Sequence, residues 1–88
     1  MIVNGKAAGD PLLRPAIAQL RESGYQIDVR VTFEYGDAAR DARQAELDGT
    51  DIIVAAGGDG TINEVASGLL SLEKELSSAM AVIPYGTA

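Results

Sequence analysis

The sequence predicts an α/β domain: a parallel-sheet, Rossmann-like, three-layer nucleotide-binding fold with the order βαβαβαβ, incomplete at its end. Three observations carry that expectation. Short apolar runs, "MIVN", "YQIDVRVT", "DIIVAA" and "AMAVIP", alternate with stretches whose apolar residues recur at helical spacing. After its leading Asp51, "DIIVAA" is apolar throughout, as befits a central parallel strand covered on both faces. Gly24 and Gly49 stop the first two helical stretches, and Pro84 closes the last strand.

Taken in order, "MIVN" is a short β-branched first strand. In "DPLLRPAIAQLRESG", Asp10 is the N-cap candidate, Pro11 takes the first helical position, and Leu13, Ile17 and Leu20 form the stripe. Pro15 would remove a backbone donor, which moves the regular start toward Arg14. "YQIDVRVT" alternates strictly, with Tyr25, Ile27, Val29 and Val31 on one face, and is expected as a strand near the sheet edge. A second helix runs through "GDAARDARQAELDG", with Asp37 as N-cap. From Thr61 onward Ile62, Val65, Ala66 and Leu69 mark a third, a stripe that Leu72 and Leu76 would extend. Such an order means a parallel sheet with right-handed crossovers and ligands at the carboxyl ends of the strands.

Composition bounds the function. Eighty-eight residues, 47% hydrophobic and 23% charged, make one folded domain or part of one. At this length folding buries roughly 60–65% of the unfolded chain's surface, so the core is thin. Seven basic against thirteen acidic residues give a net charge of −6, which disfavours non-specific binding to nucleic acid. Without cysteine or histidine there is no disulfide, thiol or imidazole chemistry and no common structural zinc site. That usage fits a reducing cytoplasm. "MIVNGKAAGD" lacks the regions of a signal peptide, and no apolar run approaches the roughly 20 residues of a membrane span.

The densest signal is "IIVAAGGDGTINEV", residues 52–65: strand, glycine turn, helix. Bare glycines let backbone N–H groups approach a phosphate, and the following helix adds the positive end of its dipole. The purely structural alternative has Gly57, Gly58 and Gly60 supplying positive φ angles while Thr61 and Glu64 form a T-x-x-E capping box. Asp59 beside an anion site argues for a divalent cation or a hydrogen-bonded hydroxyl between carboxylate and ligand; the alternative is an N-cap.

"GGDGTINEV", with "VNGKAAG", "VRVTFEYGDAAR" and "PYGTA", resembles the amino-terminal part of the diacylglycerol-kinase catalytic domain, closest to the bacterial YegS-like lipid kinases. The resemblance covers residues 1–88, and four motifs in order make it specific. G-G-D-G alone is shared with phosphofructokinases and NAD kinases, but Asn63–Glu64 and "PYGTA" are similar to the lipid-kinase pattern.

That resemblance implies ATP as co-substrate with Mg²⁺ or Ca²⁺. It implies ATP contacts from Thr32, Gly58, Asp59, Gly60, Thr61, Ile62, Asn63, Glu64 and Thr87. Thr32 and Thr87 fall just past the carboxyl ends of strands, where a hydroxyl reaches the same crevice, although Thr32 alone could simply be a β-former ending its strand. "NGKAAG" resembles the family's first loop and adds Asn4 and Lys6. It is not a P-loop, since the first glycine and the Ser/Thr after lysine are missing. Asp59 is the candidate catalytic carboxylate here, with no metal ligand assigned. The implied parent is a cytoplasmic kinase, in peripheral contact with the inner membrane face, that transfers the ATP γ-phosphoryl to a lipid hydroxyl of diacylglycerol or phosphatidylglycerol type. In the family, Gly-Thr-Ala continues with Asn-Asp and a second, β-rich domain bearing the metal ligands, lipid-facing surface and catalytic base. The 88 residues are therefore expected to be the start of the nucleotide-binding domain, inactive by themselves. An NAD or sugar kinase, and a non-catalytic nucleotide-binding module, remain the alternatives.

Overall fold

The computed structural model describes residues 1–85, and its frame is a four-stranded sheet in which every pairing is parallel. The strands are β1 (Ile2–Asn4), β2 (Arg30–Thr32), β3 (Ile52–Gly57) and β4 (Ala79–Pro84), in the spatial order β2-β1-β3-β4. Between them run α1 (Gly5–Ala8), α2 (Leu13–Glu22), α3 (Asp37–Leu47) and α4 (Asp59–Leu70). The Rossmann-like α/β arrangement is the one the sequence predicts.

Alternation along the strands sends side chains to two cores. Ile2, Ile53 and Ala55 meet Ala38 and Ala42 of α3 and Val65 and Leu69 of α4. Val3 and Ala56 point the other way, to Ala7 of α1 and Leu13 and Ile17 of α2. The layers are therefore α1 and α2, the sheet, and α3 and α4. Burying a side chain such as Ile53 or Val65 contributes roughly 1.5–3 kcal/mol. α3 and α4 approach closely because position 68 is glycine: a Cβ there would lie 2.5 Å from the Ala39 carbonyl oxygen.

Several element boundaries differ from the sequence expectation, each for a local reason. β2 keeps only three residues of the eight-residue alternating run, since its one partner, β1, is itself three residues long and pairs Ile2 with Arg30 through Asn4 with Thr32. Tyr25 and Val29, left outside the strand, are exposed, as is Val31 within it, and β2 is the sheet edge, as expected. The stretch read as a first loop folds into α1, capped by Asn4, whose Oδ1 accepts from the Ala7 amide at 2.8 Å. Asp10 does not cap α2. Its Oδ1 accepts from the Leu12 amide at 2.9 Å in the turn that holds Pro11, and the helix starts at Leu13, which leaves Pro15 in the first turn where no amide is needed. Asp37 is the first residue of α3 and Gly36, at φ 98°, is the N-cap. Gly24 and Gly49 end their helices with positive φ, as expected. α4 starts at Asp59, two residues early, and stops at Leu70, so Leu72 and Leu76 lie beyond it.

Candidate functional site

The connection after β1 leads to one face of the sheet and the connection after β3 leads to the other, so a crevice opens between their carboxyl ends. Asn4 ends β1 and Thr61 lies in the first turn of α4; they meet across the crevice, the Asn4 Nδ2 donating to Thr61 Oγ1 at 3.3 Å. Gly57 makes the contact possible. A Cβ at position 57 would lie 2.8 Å from Thr61 Cβ and 2.9 Å from Asn4 Nδ2.

Next comes the turn itself. Gly58 is the N-cap of α4 and provides no side-chain bond, and the first helical bond runs from the Ile62 amide to the Gly58 carbonyl at 3.1 Å. The amides of Asp59, Gly60 and Thr61 are thus left without intrahelical acceptors at the positive end of a twelve-residue helix. Neither Gly58 nor Gly60 has the positive φ of the structural alternative: Gly58 sits at φ −82°, and the positive-φ glycines among the described residues are Gly24, Gly36 and Gly49. Space differs too. A Cβ at Gly60 would meet nothing within 4 Å, and one at Gly58 would touch only the Tyr85 carbonyl oxygen at an ordinary 3.5 Å. The protein's own packing does not require glycine at either place.

A cleft of about 350 Å³ lies over this edge, lined by Asn4, Gly5, Lys6, Thr32, Phe33, Glu34, Tyr35, Gly60, Thr61 and Glu64. It unites Thr32, Gly60, Thr61 and Glu64 with Asn4 and Lys6 from the first motif. Gly58, Asp59 and Asn63 stand in the same turn and first helical turn without lining the cleft, and Asp59 and Asn63 are exposed. Ile62 turns the other way, packing against the core of α3 and α4. Thr87, like the rest of the final Gly-Thr-Ala, lies outside the described residues.

Two alternatives from the sequence are not formed. No capping box joins Thr61 and Glu64: Thr61 Oγ1 is taken by Asn4, and Glu64 Oε1 accepts from the Gly36 amide at 2.7 Å, tying α4 to the start of α3. Asp59 is not an N-cap, because it is already helical and Gly58 fills that place.

The segment 33–36, between β2 and α3, is the part of the site that sequence reasoning missed. Asp37 Oδ2 accepts from the Phe33 amide at 2.9 Å and the Glu34 amide at 3.0 Å. The Phe33 amide first, then that of Glu34, holds the Asp37 carboxyl below its usual value. With the Glu64 bond to Gly36, the segment is fixed at both ends, yet Phe33 and Tyr35 are 87% and 94% exposed. Two aromatics directly after a strand on the ligand edge were the available signal. Tyr85, from the last motif, donates its hydroxyl to Asp10 Oδ2 at 2.9 Å, a bond that with burial raises the phenol's pKa. Its amide donates to the Gly57 carbonyl at 2.8 Å, so Tyr85 braces the turn from behind.

The chain is similar to known proteins along its whole length. The family model described as diacylglycerol kinase catalytic domain matches residues 1–88. A protein named probable lipid kinase YegS-like from Enterobacter sp. (strain 638) is 50% identical over all 88 residues, and one of the same name from Cronobacter sakazakii is 48% identical. A probable lipid kinase YegS from Escherichia fergusonii is 49% identical. Each match takes in the whole of this chain and 29% of the relative's length. With four motifs in order, the matching sheet and a family match from end to end, the chain belongs to the diacylglycerol kinase catalytic domain family.

Proposed function

We propose that this chain is the ATP-binding portion of a lipid kinase that transfers the ATP γ-phosphoryl to a lipid hydroxyl of diacylglycerol or phosphatidylglycerol type. The observation that carries the reading is the bare turn: three amides without helical acceptors, beside a glycine with nothing within 4 Å of its would-be Cβ, on the rim of a cleft. An anion with several acceptor oxygens satisfies those donors, and a phosphate chain is such an anion. The glycines leave room for it, and the Lys6 ammonium on the same cleft adds a cation in a chain of net charge −6.

Asp59 is exposed and, among the described residues, makes no ion pair. Its carboxylate next to the amides would repel phosphate unless a divalent cation stands between them, and one carboxylate together with phosphate oxygens is a common donor set for Mg²⁺. When bound, Mg²⁺ neutralises charge on the phosphates. The chain's own part is positioning: the amides hold the phosphates, Thr32 and Thr61 offer hydroxyls, and the Asn4 to Thr61 bond fixes the two sides of the crevice. Lipid capture and proton removal from the acceptor belong to the rest of the kinase.

Radiolabel transfer from Mg²⁺–ATP by the full-length parent, tested against diacylglycerol, phosphatidylglycerol, NAD and fructose 6-phosphate, decides the matter. Label is expected in a lipid. Label confined to a soluble acceptor would move the protein to the NAD or sugar kinases, and nucleotide binding with no transfer at all would leave a non-catalytic module.

A further inference from the structure

The 33–36 segment has a feature that phosphate binding leaves unused: two aromatic rings held in water by a well-anchored backbone. Phe33 and Tyr35 are the most exposed of the large apolar and aromatic residues among those described, at 87% and 94%. The other well-exposed apolar side chains, such as Leu12 and Leu70, stand elsewhere on the surface, whereas these two line one cleft together. Their backbone is fixed by the two bonds to Asp37 and the bond from Gly36 to Glu64, and the turn closes on Gly36 at φ 98°. Holding large rings in water without packing them gives the fold no burial energy, so a partner outside the described residues is the natural reason for them.

The layout of the carboxyl edge says which partner. β2, β1 and β3 lie side by side, so the aromatic segment after β2 and the bare turn after β3 are two strand spacings apart, roughly 10 Å. The β3 side offers amides and the β1 side Lys6, whereas the β2 side offers two rings and the carboxylate of Glu34. Phosphates are attracted to the first and repelled by the second, while a flat heteroaromatic base gains by stacking on the second. The spacing suits a mononucleotide laid across β1 with its phosphates at α4. Building on the ATP-binding reading above, we propose that Phe33 and Tyr35 form the base-binding wall of the cleft and stack on the adenine.

The test compares two ligands of the full-length parent, Mg²⁺–ATP and Mg²⁺–tripolyphosphate, the second having the phosphates without the base. In the double variant Phe33→Ala/Tyr35→Ala, affinity for ATP is expected to fall about tenfold or more while that for tripolyphosphate stays within about twofold. Both rings are exposed, so the thermal midpoint should hold, and Phe33→Trp with Tyr35→Phe should restore ATP binding. Parallel weakening of both ligands would overturn the proposal by making the segment a scaffold of the phosphate site. Unchanged ATP affinity would also overturn it, and if binding to phosphatidylglycerol vesicles fell instead, the rings would be a lipid contact. A wild-type protein that binds neither ATP nor tripolyphosphate would remove the ATP-binding reading itself, a result distinct from any of these.

Discussion

The two ends of the sheet treat their polar groups in opposite ways. At the amino end, where α3 finishes and β4 begins, the Glu46 side chain is fully buried yet saturated: it accepts from the amides and hydroxyls of both Ser77 and Ser78 at 2.7–3.0 Å, with a longer contact at 3.4 Å. The Lys74 ammonium stands 3.7 Å away. At the carboxyl end, the amides of Asp59, Gly60 and Thr61 have no helical acceptors, and Gly60 and Thr61 line the cleft. A buried charge is tolerable only when its partners are complete, so the Glu46 cluster is a structural clasp joining α3 to the approach of β4. Donors left open on a rim cost little while water serves them and become valuable when an anion replaces it. One end is finished by the chain and the other is left open.

Breaking that contrast should give its largest effect at Asp59. In the full-length parent, Asp59→Asn keeps the shape and loses the charge, and kcat/KM for the proposed phosphoryl transfer is expected to drop by about two or more orders of magnitude, near 2.7 kcal/mol of transition-state stabilisation. Stability should change by less than about 1 kcal/mol. Steady-state kinetics beside urea unfolding measure both, and full activity in the variant would take Asp59 out of the site.

Gly68→Ala should do the reverse. A Cβ 2.5 Å from Ala39 O and 2.8 Å from Ala39 Cα meets rigid backbone, so α3 and α4 must part, at a cost of about 1–3 kcal/mol seen in urea unfolding. ATP affinity measured on the folded variant should stay close to that of the wild type.

The clasp at Glu46 gives a pH-limited effect. Amide donation from Ser78 first, then the Ser77 hydroxyl, lowers its pKa from 4.5 to about 2. A folded-state value below the unfolded one means that the stability from Glu46 is complete above the unfolded value of 4.5 and is lost as pH falls toward about 2. Thermal midpoints from pH 7 to pH 2 should therefore fall in that window for the wild type, and Glu46→Gln should lower the midpoint at pH 7 and flatten the acid limb. An unchanged acid limb would show that the clasp does not set the acid response.

Much of this was legible in the sequence, for identifiable reasons. The apolar run after Asp51 and the spacing of Val65 and Leu69 report burial, realised at Ile53, Ala55 and Ala56 while Ile52 at the strand's start stays exposed; the same holds for Leu13 and Ile17. Gly24 and Gly49 announced their helix ends because few residues tolerate their positive φ. The alternation of residues 25–32 misled because strand length depends on a partner, and β1 offers three residues. Motifs placed Thr32, Gly60, Thr61 and Glu64 on one cleft. What they could not give was the wiring: Glu64 reaches Gly36, Asn4 reaches Thr61, and Glu46 meets Ser77 and Ser78 across 31 residues or more. Such long-range pairings carry no local period. The role of Gly57 was equally hidden, since its closeness to Thr61 and Asn4 exists only after β1 and α4 have come together.

The central claim, that the turn after β3 is kept bare for a phosphate and not for the fold, is tested most directly by Gly60→Ala in the full-length parent, with calorimetric ATP titration and thermal unfolding run side by side. A Cβ at position 60 has nothing within 4 Å in the protein, and alanine is the better helix former, so stability should hold or rise by about 0.4–1 kcal/mol. The expected result is that gain or neutrality in stability together with at least about a tenfold loss of ATP affinity, because the methyl group would occupy the space of a phosphate oxygen. Undiminished ATP affinity in a well-folded Gly60→Ala protein would contradict the account.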